Sequence, residues 1–582
     1  MIFVSKALLL SLLVQTAMSI YRYHTALDTD GHLSLDWDVN SDHQQVNFRL
    51  KVKVDSHLNQ WFGLGFSDYG EITDADIAIY WRNNGVHHFQ DCYTDGHGRL
   101  HVDRQQDYIM KSSFTDRDHH TIEFERHYDT CDSHDYIIEN GTTHIIFFLG
   151  KSSPQRLEGV LLSDLEVKVT RVQLLKPEIP APVYPGDTWT FDVTAPSITV
   201  PDKDTTYWWY LTRLPHLSDK HHIIQYESVI QPGSEHLVHH MEVFQCEISP
   251  YDVIGPYNGP GLAEGKPPGL SACRNVIGAW AMGAGPFILP PEAGTPIGDK
   301  SSSSFILLEI HYNNPKMIKG MVDSSGIRFY VTRHLRRHDA GIMELGLEYT
   351  NKMAIPPGQI SFPLTGYCIA ECTKVGLGHD NIHIFGSQLH THLTGTKVYT
   401  KHIRHGVELP ELNRDNHYSP HFQEIRRLPV PVEIRPGDAL VTTCDYNTVN
   451  RPNVTVGGFS IKDEMCVNYV LYYPRTNLEV CKSSIHTSSL HMFFRFLNQW
   501  EKDKTSRMKG DRENYSSIHW SPTTAKLLLS LYDISPLSMQ CNKSDGTRFP
   551  GEWESAKKTR IHLPLRKPKS SCRRRRLFTR II

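Results

Sequence analysis

The chain has 582 residues, more than one hydrophobic core can organise, so two to four domains are expected. At 39% hydrophobic and 21% charged it reads as soluble and globular, and 64 acidic against 61 basic side chains, a net charge of -3, give no reason to expect nucleic acid. Its 34 histidines are numerous, but a count alone decides nothing.

Along the chain, Lys6, the apolar residues 7–14 and the small residues Ala17 and Ser19 form a secretory signal over residues 1–19. No later stretch holds about 20 apolar residues, so an ordinary membrane span is not expected. The alternation of residues 46–54, followed by residues 61–66, 77–81 and 145–149, predicts a β-sandwich over 21–172. Proline-rich residues 173–205 read as a restricted linker. Alternation returns at Tyr207 and runs to about residue 485 without helical periodicity. This half is therefore all-β as well, as two sandwiches over 206–335 and 336–500 that meet at the basic stretch 333–338. Residues 490–497 read as a helix, and 501–582 as an irregular extension with four arginines at 573–576. Secretion places the 11 cysteines in an oxidising compartment, and the odd count leaves one over. N-x-S/T triplets at Asn140, Asn453, Asn514 and Asn542 agree with a lumenal route.

Several positions could bind metal. His390-Thr391-His392 on a strand would send both imidazoles to one face, because strand side chains repeat every two residues. His239 and His240 are neighbours, which reach one metal only at a bend or an edge. His311 lies on an otherwise apolar strand. Met465 matters only beside imidazoles, where its thioether favours reduced copper over zinc. Spacing leaves His221, His222, His379 and His383 as competitors and does not fix which histidines share a metal. Five imidazoles and a thioether point to copper. A zinc hydrolase would leave Met465 unexplained and offers no clear general base.

The stretches around these positions carry a more specific likeness. His239-His240-Met241-Glu242-Val243-Phe244-Gln245-Cys246, Leu308-Glu309-Ile310-His311-Tyr312-Asn313-Asn314-Pro315, Gln388-Leu389-His390-Thr391-His392-Leu393-Thr394-Gly395 and Glu464-Met465-Cys466-Val467-Asn468-Tyr469 stand in order. They resemble the copper type II, ascorbate-dependent monooxygenases. The leading sandwich resembles the DOMON domain that precedes the catalytic core in the dopamine beta-hydroxylase branch, and residues 416–426 continue the likeness.

The resemblance implies an all-β fold, an N-terminal DOMON-like β-sandwich followed by two jelly-roll β-sandwich copper-binding domains. It implies two coppers per chain, one on His239, His240 and His311 and one on His390, His392 and Met465, facing each other across a solvent-filled gap. Ascorbate would be the electron donor, O2 the co-substrate, and the reaction the hydroxylation of a C–H bond of a small, arylalkylamine-class substrate. Tyr207 and His390 fall where catalytic roles are assigned, and Tyr469 would line the substrate cavity. The implied disulfides are Cys246–Cys273, Cys368–Cys481, Cys372–Cys541, Cys444–Cys466 and Cys131–Cys572, leaving Cys92. One further disulfide of the branch is absent, since Trp209 and Gly261 stand at its two positions, which leaves the substrate range open. The expected location is the secretory pathway lumen or outside the cell; membrane association and a homo-oligomer are left open. The alternative, from another functional class, is a catalytically inactive secreted copper- or ligand-binding glycoprotein.

Overall fold

The computed structural model describes residues 21–566 and Cys572, apart from 29–31, 54–60, 84–85, 117, 151–153, 155, 250, 262 and 299–302. The expected secretory signal and the four arginines therefore lie outside the described residues. The chain divides into two compact units, one of residues up to 66 with 72–138 and 146–169, the other of 67–71, 139–145 and everything from 170 onward. The architecture is all-β, as expected.

The leading sandwich has a five-stranded and a six-stranded sheet. Its clearest strand, Gln45–Lys53, alternates buried and half-exposed residues through its length, the period-2 pattern of a strand with one face on a core. Trp61–Ser67 is buried throughout, as befits a strand inside its sheet. Cys92 is buried in this unit and free, and burial with the charge of Asp91 holds its thiol protonated.

The larger unit holds two further sandwiches. One sheet of the first orders Asn258–Pro260, Thr205–Arg213, Phe305–Asn313, Val238–Cys246 and Cys273–Ala281, all antiparallel. One sheet of the second orders Arg426–Ile434, Ile382–His390, Val467–Tyr473, Gly341–Leu347, Leu478–Ile485 and Leu537–Lys543. Phe385, Leu471 and Tyr473 of the second sandwich are buried in one cluster with Ile277, Trp280 and Phe287 of the first. The two halves thus meet through apolar side chains at this cluster.

Three sequence boundaries are corrected. The linker expected over 173–205 ends early: Trp189–Thr194 pairs in register with Gly326–Thr332, and alternate residues Phe191 and Val193 are buried. Proline content masked this short alternating run. The junction expected at the basic stretch 333–338 falls just past its end. The Arg336 guanidinium donates to the carbonyls of Leu289, Pro290 and Ala293, and His338–Asp339 joins the first sandwich, so the chain changes sandwich after Asp339. The extension after 501 is ordered structure: Pro522–Ile534 is helical, and Leu537–Lys543 completes the six-stranded sheet by pairing with Leu478–Ile485, while Cys541 on it is bonded to Cys372 of the helix Ala370–Leu377. The helix expected near 490–497 is present as Thr487–Phe496. Four disulfides pair as the resemblance implied, and Cys131 and Cys572 are disulfide-bonded too. Asn514 is 2% exposed with its amide bonded to the Ser506 and Lys509 carbonyls, so the folded chain cannot carry a glycan there.

Candidate metal centres

His239, His240 and His311 come together in one sheet. Val238 pairs with Tyr312 and His240 with His311, so His239 is an extra residue, a β-bulge. The bulge removes the obstacle that adjacent strand residues face opposite sides. His239 Nδ1 lies 3.1 Å from His240 Nδ1, which lies 3.3 Å from His311 Nδ1. Ligands about 2.0–2.1 Å from one ion are about 3.3 Å apart at tetrahedral angles, so the three nitrogens fit a single metal. Burial pushes His239 down to about 4 and His311 to about 3, with neighbouring imidazoles adding to it, and holds His240 well below its ordinary value. All three are neutral at physiological pH, the form that binds metal.

Tyr207 pairs across the sheet with His311 and stacks on it, ring centroids 4.4 Å apart and planes 9° apart. One step along the same face, Glu242 stands opposite Glu309, and Glu309 opposite Trp209. The Trp209 indole N–H donates to Glu309, and the Lys266 ammonium lies 4.1 Å above the Trp209 ring while donating to the Gly261 carbonyl. A Cβ at Gly261 would lie 2.6 Å from the indole nitrogen. Indole and glycine therefore occupy together the space that a cross-link between these positions would need.

The second set is assembled differently. His390 ends its strand, and His392 lies beyond it in irregular chain, so the pair does not share a regular strand as the spacing suggested. The rings lie 5.4 Å apart and nearly perpendicular. His390 Nδ1 bonds to the Gln423 side chain, and His392 Nδ1 to the Asp463 carbonyl at 3.0 Å, which leaves both Nε2 atoms for a metal. Burial pushes His390 down to about 4. The buried Glu464 carboxylate accepts from the backbone N–H of His392, Thr394 and Met465 and from the Thr394 hydroxyl. It ties the histidine loop to the methionine loop. Met465 is 7% exposed, its carbonyl accepts from the Tyr446 hydroxyl at 2.7 Å, and Cys466 beside it is bonded to Cys444. His390 also acts on the titration of His240, so the two sets lie within electrostatic reach.

Comparison with known proteins agrees with this geometry. The model "Copper type II ascorbate-dependent monooxygenase, N-terminal domain" matches residues 191–319, its C-terminal counterpart 338–494, and the DOMON model 29–150. Dopamine beta-hydroxylase of Bos taurus is 45% identical over 559 residues, covering 96% of this chain and 91% of that one. The chain belongs to the copper type II, ascorbate-dependent monooxygenase family. This monooxygenase is also similar to tyramine beta-hydroxylase of Caenorhabditis briggsae, 37% identical over 91% of each chain. DBH-like monooxygenase protein 1 of Homo sapiens is 32% identical over 94% of this chain and 90% of that one. The monooxygenase is a copper-dependent enzyme acting on a small substrate.

The sequence singled out six candidate donors and passed over the neighbours that hold their side chains. Gln423 lies inside the stretch 416–426 and Glu464 inside the methionine motif, so both were in view without an assigned role. His421, whose ring is 6.2 Å from that of His239, carried no signal in spacing. His221, His222 and His383 lie elsewhere: His221 Nδ1 meets the Asp219 carbonyl, His222 Nε2 meets Asp339, and His383 stacks on Tyr473.

Proposed function

We propose that the monooxygenase holds two coppers, one on His239, His240 and His311 and one on His390, His392 and Met465. With ascorbate as donor it places one atom of O2 into a C–H bond of a small, arylalkylamine-class substrate. The reading rests on the two donor sets: three converging imidazole nitrogens at 3.1 and 3.3 Å, and two imidazoles anchored through Nδ1 on a loop that Glu464 ties to the backbone of buried Met465. Bound copper would supply the one-electron redox chemistry that ordinary side chains lack. C–H and O2, with two electrons and two protons, give C–OH and water.

The chain's own residues divide the work. The all-imidazole set suits an ion that changes oxidation state while taking electrons from ascorbate, and the softer set with Met465 favours the reduced ion. Gln423 and the Asp463 carbonyl fix the planes of His390 and His392, so His390 serves the reaction as a ligand. Tyr207 acts through its stack on His311 and is a positioning residue. Burial and the neighbouring Glu309 hold Glu242 above the ordinary carboxyl range, so on the sheet face that carries His240 it would offer a carboxylate to a cationic substrate only by giving up its proton as the cation arrives. The names of the dopamine and tyramine hydroxylases support an amine in the same way. The disulfides and the apolar N-terminal segment support passage through the secretory lumen; no helix among the described residues is long and apolar enough to cross a membrane.

The test is ascorbate-driven oxygen consumption by the copper-loaded protein with phenethylamines, beside Met465→Ala and His390→Ala. Substrate-dependent uptake with a hydroxylated product, lost in both folded variants, is expected. Two bound coppers without coupled uptake across a broad amine panel would overturn the amine reading, and absence of copper binding would overturn the assignment of both sets.

A further inference from the structure

The leading sandwich carries a donor cluster of its own. The strand Leu100–Val102 runs into Asp103, and the turn after Cys131 presents Asp132 and His134. His134 Nδ1 lies 3.5 Å from Asp103 Oδ2 and 3.5 Å from Asp132 Oδ1. Charge-assisted hydrogen bonds are about 2.7–2.9 Å long, so neither contact is a closed ion pair. Asp103 Oδ2 is buried without a hydrogen-bond partner, on a side chain 5% exposed. An ordinary network would not leave such an atom orphaned. The separations are close to the edge between two ligands of one ion, about 3.3 Å for bonds of 2.0–2.1 Å.

The surroundings hold the three donors ready. Asp103 Oδ1 accepts from the Gln105 N–H, and Asp132 Oδ1 from the His134 N–H, which sets both carboxylates. The Tyr93 ring lies flat against the His134 imidazole, centroids 4.0 Å and planes 6° apart, and fixes its orientation. The half-exposed imidazole leaves water room to complete the coordination.

We propose that Asp103, Asp132 and His134 form a divalent-cation site of the zinc class, with two carboxylate oxygens, one imidazole nitrogen and water as ligands. The donor set lacks sulfur and differs from both copper sets, so this site adds a metal that takes no part in turnover. Its consequence is that total bound metal exceeds the catalytic copper.

The full-length, copper-loaded protein is equilibrated with zinc, freed of excess by gel filtration, and its metals counted by mass spectrometry. One zinc per chain is expected in the wild type and none in His134→Ala or Asp103→Asn, with copper content and ascorbate-driven turnover unchanged. The zinc absorption edge of the wild type should show nitrogen and oxygen neighbours only. His134 is half exposed, so its alanine variant keeps the test sound if Asp103→Asn fails to fold. Wild type that retains no zinc, or His134→Ala that retains as much as wild type, overturns the proposal.

Discussion

The first histidine set is made by sheet register, the second by hydrogen bonds around a loop. At the first, a single bulge at His239 and the pairing of His240 with His311 bring three nitrogens together inside one sheet. At the second, the strand stops at His390, and the remaining donors are held by Gln423, Glu464 and the Cys444–Cys466 bond. A sheet spreads strain over many ladder bonds, whereas a loop concentrates it in a few polar contacts. The first set should therefore tolerate changes around it, and the second should fail when one anchor is lost.

Ligand loss sets the upper limit of effect. His240→Ala is expected to reduce copper from two to one per chain and abolish coupled turnover, and Met465→Ala to abolish turnover with the fold intact. Copper analysis with far-ultraviolet circular dichroism checks both. Glu464→Gln touches no metal, yet it puts an amide donor among four groups that already donate. Copper affinity at the second set should fall roughly 100-fold, the upper end for residues that hold ligands, while the first keeps its metal. Competitive titration with a copper chelator separates the two. Equal weakening of both sets would erase the distinction drawn between them.

Trp209→Ala makes the converse test at the first set. It removes the indole that fills the space beside Gly261, carries Lys266 and donates to Glu309. Partial burial puts the cost at about 2 kcal/mol, below that of a fully buried tryptophan. A lower unfolding midpoint with both coppers retained is expected. Copper loss from the first set would show that register alone does not hold it.

Much of this was legible in the sequence, for physical reasons that differ between the two sets. Alternation announced Gln45–Lys53, since burial on one face imposes it, and a continuous apolar run announced Phe305–Asn313, which is buried on both faces. A bulge leaves no such trace: Val238-His239-His240 reads like any strand, and only its pairing with Tyr312 and His311 shows the extra residue. Trp189–Thr194 was hidden by the prolines before it, and Leu537–Lys543 by its distance from the sheet it completes. Gln423 could not be found from spacing, because its partner His390 lies 33 residues away and glutamine has no preferred position relative to a metal ligand.

The smallest predicted effect concerns acid, and it also separates the two sandwiches. In the first, the His222 hydrogen bond and the Lys220 charge, working against burial, hold the Asp339 carboxyl at about 2. In the second, burial pushes Asp438 upward, but Arg404 and His402 together outweigh it and hold the carboxyl lower still. A carboxyl lowered on folding contributes stability that is complete above its unfolded value of 3.8 and is lost as pH falls through the folded value. Between about pH 4 and pH 2 the two groups should therefore lose stability alike, because the unfolded chain takes up both protons there, and below about pH 2 only the Asp438 group of the second sandwich should go on losing it. Asp339 is partly exposed, so solvent screening reduces its share to about 1 kcal/mol. Asp339→Asn should lower the unfolding midpoint slightly at neutral pH and flatten its fall between about pH 4 and pH 2. An unchanged acid slope would place the acid response in other carboxylates and show that the Lys220–Asp339–His222 group contributes geometry rather than charge.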